Sequence, residues 1–447
     1  MKSDSKFIID EFGALKGYVG SDSDVVIPDG VTVIESKAFS LDPSIETVRI
    51  GGNVKSIEYG AFYGCPRLRS IILEDGVEKI SYKAFAALPS LTDVYIPDSI
   101  TEISEDSFEE SDNIRYNIYN GMKYLGNSGN PYSALIFIDA SIKECSVADG
   151  CVLIADKAAN ESEALARLSL PKSVRNIGFM AFYGCTSLSE LELSEGLTDI
   201  GACAFENCNL KKAELPMSLR TVGRNAFNIP SLEEALLPDE LTDMGTGAFG
   251  YNSLKFNRFE GGLYLGARDN PYVCFVRPEN MDVIDLRIHD RTRFIYSSAC
   301  FGLKSLERVD FPGELIKIGE EAFRECESLR SIELPDGLIS IAEAAFLGCS
   351  RLESAQLPKG LIDLDSAAFS SCESLISFDV CARIGDNAFD GCESLQKFKI
   401  REGSVLYGYY IFAGCPSLRL IEIPIALEGK LSSEELEDSP DVEIKYY

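Results

Sequence analysis

The chain has no tryptophan, one histidine, and no Cys-x-x-Cys pair among its 14 cysteines. Each absence removes a class of function. A single imidazole, His289, cannot share a metal with a second one, which excludes zinc and non-haem iron sites built on histidine. Without paired cysteines there is no zinc ribbon and no thioredoxin-type redox motif. Basic residues are few, 42 against 71 acidic ones, for a net charge of −29. Such a surface repels phosphate backbones and anionic lipid, so neither nucleic acid nor direct membrane insertion is expected. No apolar run approaches the ~18 residues that cross a bilayer. The start, MKSDSKFIIDEFGALKGYVG, lacks the apolar core of a secretory signal. The expected location is cytoplasmic on the sequence as given, or surface or secreted if a signal segment lies outside it. The glycines of GGLYLG match neither a P-loop nor a dinucleotide fingerprint. Apolar content is nevertheless 45%, enough for a packed core.

What the chain does have is one sentence written many times. AFYGCPRLRSIILEDGVEKISYKAF (61–85) returns as AFYGCTSLSELELSEGLTDIGACAF (181–205). The phenylalanine of Ala-Phe recurs at Phe39, Phe62 and Phe85, with Ser-Phe in step at Phe108, then at Phe182, Phe205, Phe227 and Phe249. A third series runs Phe323, Phe346, Phe369, Phe389 and Phe412, mostly in steps of 23. Ala159 and Cys300 fill the same slot, giving fifteen slots. A period of this length means stacked coils, not separate globular domains. From Phe62 the apolar positions are Cys65, Leu68, Ile71, Leu73, Val77, Ile80, Ala84 and Phe85. Leu68-x-x-Ile71-x-Leu73 reads as one short strand, ended in most coils by proline, as at Pro97, Pro216 and Pro335. Fifteen coils at the ~4.8 Å strand spacing span about 70 Å. Eight cysteines, from Cys65 to Cys415, lie three residues after a slot. Their spacing is that of the repeat, so they are expected to be buried free thiols.

This pattern, AFxxCxSLxxIxLPxxLxxIxxxAF, closely resembles the BspA-type leucine-rich repeat, a 23-residue bacterial class, over nearly the whole chain. The resemblance implies an α/β-type repeat solenoid, a right-handed arc with a parallel sheet on its concave face. It also implies kinship with surface or secreted proteins that bind proteins or other host and microbial ligands. The expected organisation is a capping hairpin over 1–24, a solenoid of about fifteen coils over 25–426, and a C-terminal cap over 427–447. In that cap Ser432 and Glu435 are spaced as a capping box for a short helix.

Two insertions interrupt the period, near 115–141 and 256–282. They are related: Tyr124, Leu125, Gly126, Asn130, Pro131 and Tyr132 return as Tyr264, Leu265, Gly266, Asn270, Pro271 and Tyr272. Each reads as a β-hairpin. Their aromatics, Tyr124, Tyr132, Tyr264 and Tyr272 among them, either form a sticky protrusion or cover the side of the solenoid. His289 falls where most coils place proline, an exposed turn, and is not read as a catalyst.

No catalytic, cofactor or metal residue is assigned. The candidate site is the concave sheet, whose outward side chains include Arg167, Glu190, Glu192, Lys212, Glu214, Glu234, Arg308, Asp310 and Glu333. The reading is a non-enzymatic scaffold for a protein partner. Its rivals are an adhesin-like carbohydrate binder using hairpin aromatics, a passive spacer in a larger assembly, and an acid–base enzyme. The last would need two carboxylates of raised pKa in one cleft.

Overall fold

The structure, a computed structural model, describes residues 6–250, 253–431, 436–439 and 441–447. The chain divides into two compact units. The first is Met1–Glu234 with Ala248–Leu254, the second Ala235–Gly247 with Lys255–Tyr447. Ser432 and Glu435 lie outside the described residues.

Each coil of the first unit carries two short strands. The longer ones, such as Thr47–Ile50, Ser70–Leu73 and Asp93–Tyr95, pair in parallel at the offset of the repeat, with Val48 opposite Ile71 and Ile71 opposite Val94. Their alternate side chains explain the pairing. Val48, Ile50, Ile71 and Leu73 are buried, and a slip of one residue would turn them all to solvent. The second strand, two residues long, was not expected. Val33–Ile34, Ser56–Ile57, Lys79–Ile80 and Glu102–Ile103 form a second parallel ladder on one buried isoleucine per coil.

The third side has no strand and no helix. There the slot phenylalanine donates its N–H to the carbonyl of the alanine before the next slot, as in Phe62 to Ala84 (2.9 Å) and Phe205 to Ala226 (2.8 Å). The rings stack coil on coil, Phe39 on Phe62 at 4.6 Å and Phe182 on Phe205 at 5.3 Å. The alanine is small because its backbone must approach within hydrogen-bonding distance of that ladder. On either side of the slot, two positions away, the backbone turns left-handed: Lys83 and Ala87 around Phe85, Lys157 and Glu161 around Ala159. Two left-handed residues per coil block helix propagation. This corrects the α/β-type class: among the described residues there is no α-helix, and helical structure is confined to short 3-10 turns such as Ile425–Leu427.

The second unit repeats the plan. Phe323 and Phe346 stack at 5.3 Å, and Phe346 and Phe369 at 5.1 Å. Its last two coils, on strands Leu420–Ile423 and Glu443–Tyr446, follow the final Ala-Phe slot and pair in parallel. With these and the hairpins the chain forms about 19 turns, not fifteen.

The insertions are antiparallel hairpins, each with a third strand that hands over to the two-residue ladder. In the first unit Asn117–Tyr119, Met122–Leu125 and Ala134–Phe137 run on to Leu153–Ile154. In the second, Asn257–Phe259, Gly262–Leu265 and Cys274–Pro278 run on to Phe294–Ile295. The N-terminal pair Phe7–Ile9 and Ala14–Tyr18 joins Val33–Ile34 in the same way. It is thus a third copy of the element that opens a run of coils.

Candidate functional site

The outward side chains of the longer strands are exposed or, as at Glu234, half-buried, as their alternation demands. In the first unit Arg167 lies opposite Glu190, and Ser169 opposite Glu192. Arg167 Nη2 meets Glu190 Oε2 at 2.5 Å. Lys212 Nζ stands 3.3 Å from Glu214 and 3.6 Å from Glu234. The acidic run from Glu190 to Glu234 is therefore partly neutralised along its own face. Glu192 is the member with no ion pair among the described residues. In the second unit Arg308 pairs with Asp285 at 2.7 Å, and Asp310 stands 3.9 Å from Arg287. Glu333 is exposed and has no ion pair among the described residues.

The hairpin aromatics behave differently. Tyr124 and Tyr264 are 0% exposed and present no surface. The hydroxyl of Tyr124 accepts the Ala148 N–H and that of Tyr264 accepts the His289 N–H, both at 3.2 Å. Each thus ties its hairpin to the turn of the next coil. Tyr132 and Tyr272 are half-buried and pack edge-on against them, at 5.3 and 5.4 Å. Asn130 and Asn270 accept the amide two residues on and donate to the backbone of the following coil, at Gly150 and Arg291. The repeated Asn-Pro-Tyr is accounted for by this anchoring.

His289 occupies the expected turn but is not exposed there. Its ring stacks on Tyr272 at 3.9 Å and meets Phe259 edge-on at 4.6 Å, while Nδ1 accepts the Arg291 N–H. Burial holds its pKa below the usual imidazole value. The only histidine is a packing residue of the second hairpin.

Sequence reasoning missed a cleft of about 300 Å³ in the first unit, between the coil of Phe108 and the hairpin strand Ala134–Phe137. Asp156 sits in it beneath Ile103, Phe108, Ile136 and Phe137. Desolvation pushes its carboxyl up to about 7, against the Phe179 N–H that it accepts at 2.7 Å. Lys157 pairs with Glu105 beside it, and the Lys123 ammonium lies over the rings of Tyr116 and Phe137. Burial also raises the pKa of Asp390, in the second unit. The signal for Asp156 was its column: other coils place Tyr59, Tyr82 or Phe179 three residues before the slot.

All 14 cysteines are free. The ladder thiols do more than fill space. Cys65 Sγ donates to Phe39 O at 3.1 Å, Cys349 to Phe323 O at 3.2 Å and Cys372 to Phe346 O at 3.3 Å. Each adds a second hydrogen bond to the slot carbonyl of the preceding coil, which also accepts the N–H three residues on. Burial pushes these thiols up, Cys65 and Cys326 to about 12 and Cys185 to about 11, which suppresses the nucleophilic thiolate.

Two parallel ladders, a phenylalanine spine and a recurrent cysteine rung define a leucine-rich-repeat solenoid. Residues 18–133, 153–265 and 293–419 match the BspA type leucine rich repeat region, and the chain belongs to that bacterial family. Among solved structures, a leucine-rich repeat protein from Bacteroides ovatus is 20% identical, covering 98% of this chain and 97% of that one, with a TM-score of 0.33. The pneumococcal vaccine antigen PcpA is 18% identical, covering 97% and 91%, with a TM-score of 0.33. A leucine rich cell surface protein from Faecalibacterium prausnitzii is 20% identical, covering 99% and 97%, with a TM-score of 0.30. No curated protein matches the chain. Among the described residues no helix is long and apolar enough to cross a membrane.

Proposed function

We propose that the chain is a non-enzymatic scaffold that binds a protein partner of basic charge on the outward face of the longer-strand sheet of its first unit. The observation that carries this is the strip Glu190, Glu192, Lys212 and Glu214: it is exposed and acidic on balance. What the strip offers a partner is charged side chains at the spacing of the repeat. Long-range attraction from a net charge of −29 favours encounter with a basic partner and fades with salt. The half-buried state of Tyr132 and Tyr272 and the full burial of Tyr124 and Tyr264 weigh against a carbohydrate site on the hairpins. The test is capture of partners from the native source, followed by kinetics with Glu192→Lys and Glu214→Lys. Slower association with a flatter salt dependence supports the reading. Unchanged association rates for both variants refute it.

A further inference from the structure

On the flank of the first unit, before the longer strands, a shallow groove of about 780 Å³ is lined by Arg67, Arg69 and Arg115. Three guanidiniums in one groove are unexpected in a chain of net charge −29. Arg69 and Arg115 hold the same place in coils two apart, seven residues after Phe62 and Phe108, so stacking sets them about 10 Å apart. Their own carboxylates only partly satisfy them. Arg69 meets Glu46 at 3.1 Å and Arg115 meets Asp93 at a long 3.5 Å, both with exposed side chains. Arg67 is exposed and has no carboxylate within ion-pair distance among the described residues.

The uncharged wall points to the rest of the ligand. Ser90 Oγ donates to Pro66 O and Asn113 Nδ2 to Pro89 O, each at 2.7 Å, and the Thr92 hydroxyl is committed to Asp93 Oδ2 at 2.8 Å and Arg69 O at 3.2 Å. With those protons committed, the two hydroxyl oxygens and Asn113 Oδ1 are fixed acceptors on the groove wall. A ligand that fits must offer oxyanions to guanidiniums, which bind carboxylate or sulfate as a planar fork, and hydroxyl protons to the acceptors. An acidic peptide brings to these acceptors mainly backbone N–H groups, and the groove gives it neither an unpaired strand edge to align them nor an apolar anchor beyond Pro89. A nucleic acid would find no aromatic ring on which to stack. We infer that this groove binds an acidic polysaccharide, a hydroxyl-rich chain bearing carboxylate or sulfate groups.

Binding of polygalacturonate oligomers and dextran sulfate to the full chain, measured by calorimetry at about 0.1 M salt, tests this. Retention of either, with neutral dextran inert, is expected. Arg67→Ala with Arg69→Ala and Arg115→Ala should weaken it about tenfold or more. Glu46→Gln, which frees Arg69, should tighten it about twofold. The control triple Lys143→Ala, Lys172→Ala and Arg175→Ala removes the same charge from exposed sites of the same unit and should leave binding nearly intact. Equal binding of neutral dextran, no binding of either acidic glycan, or equal loss in the control triple overturns the inference. So does polyglutamate or free sulfate bound as tightly as the glycan, since the first removes the sugar and the second leaves a simple anion site.

Discussion

Replacing Asp156 by asparagine should stabilise the first unit, and the gain should depend on pH. The carboxyl lies under the hairpin among Ile103, Phe108, Ile136 and Phe137, and desolvation raises its pKa from 3.8 to about 7. The nearby Glu102 adds to this and Lys79 opposes it. Between those two values the folded chain holds a proton that the unfolded chain has lost. Stability is therefore fully present below about pH 4, falls as pH rises toward 7, and is flat beyond. Three pH units at ~1.4 kcal/mol each set a ceiling of about 4 kcal/mol. Because the side chain is only half-buried, about 2–3 kcal/mol is the expected cost of ionising it at pH 8. Asparagine keeps the acceptor for the Phe179 N–H and abolishes the charge. Thermal unfolding of both proteins at pH 4, 6 and 8, with hydrogen exchange to localise the change to the hairpin, is the assay. The two should melt alike at pH 4 and diverge most at pH 8, with asparagine the more stable. A difference independent of pH, or a destabilised asparagine variant at pH 8, would show that the cleft does not desolvate this carboxyl.

Three further outcomes follow from the repeat. Cys349→Ser keeps a donor for Phe323 O, whereas Cys349→Ala leaves that carbonyl only the Cys326 N–H and should cost about 0.5–1.5 kcal/mol more in urea denaturation. If serine is the worse of the two, the thiol is only apolar filler. Glu161 has φ of 57° at a place where the next coil uses Gly184, so Glu161→Gly should stabilise by about 0.5–1 kcal/mol, while a loss of stability would mean that unfolded-chain entropy dominates. His289 has a depressed folded pKa, so its contribution is complete above about pH 6.5 and declines as pH falls below it. Exchange protection of the Gly262–Leu265 strand should drop over that range, and the Met122–Leu125 strand, with no histidine, should not follow it.

The spacing of Ala-Phe made the spine, the cysteine rungs and the longer-strand register legible, because all three recur at a fixed interval. The second ladder was not legible. A two-residue strand such as Ser56–Ile57 buries one side chain, too little for an alternation. The left-handed positions were hidden by identity: Lys157, Met180 and Glu325 stand where glycine would have announced the turn. The count of turns fell short because the hairpins and the coil of Glu443–Tyr446 lack the slot that was counted. The ion pairs of the candidate face were within reach, since Arg167 and Glu190 differ by one period and must therefore face each other. The arginine groove and the Asp156 cleft were not, because each gathers side chains from several coils that no single period brings to notice.

The two hairpins share their residues for a reason of packing, and this decides how they can be tested. Substituting alanine for Tyr124 would empty a fully buried ring site, at about 3–5 kcal/mol for a ring of this size, and the hairpin would loosen whether or not it meets a partner. Tyr124→Phe is the informative change. It keeps the ring and removes only the hydroxyl that accepts the Ala148 N–H, leaving that buried donor without its partner. The expected cost is about 1–3 kcal/mol. It should appear as faster exchange of the Ala148 amide and a lower melting temperature, with binding to the sheet face unchanged. If instead the phenylalanine variant melts like the parent but loses its partner, the Tyr124 hydroxyl is a contact and not an anchor. The recognition surface would then lie on the hairpin.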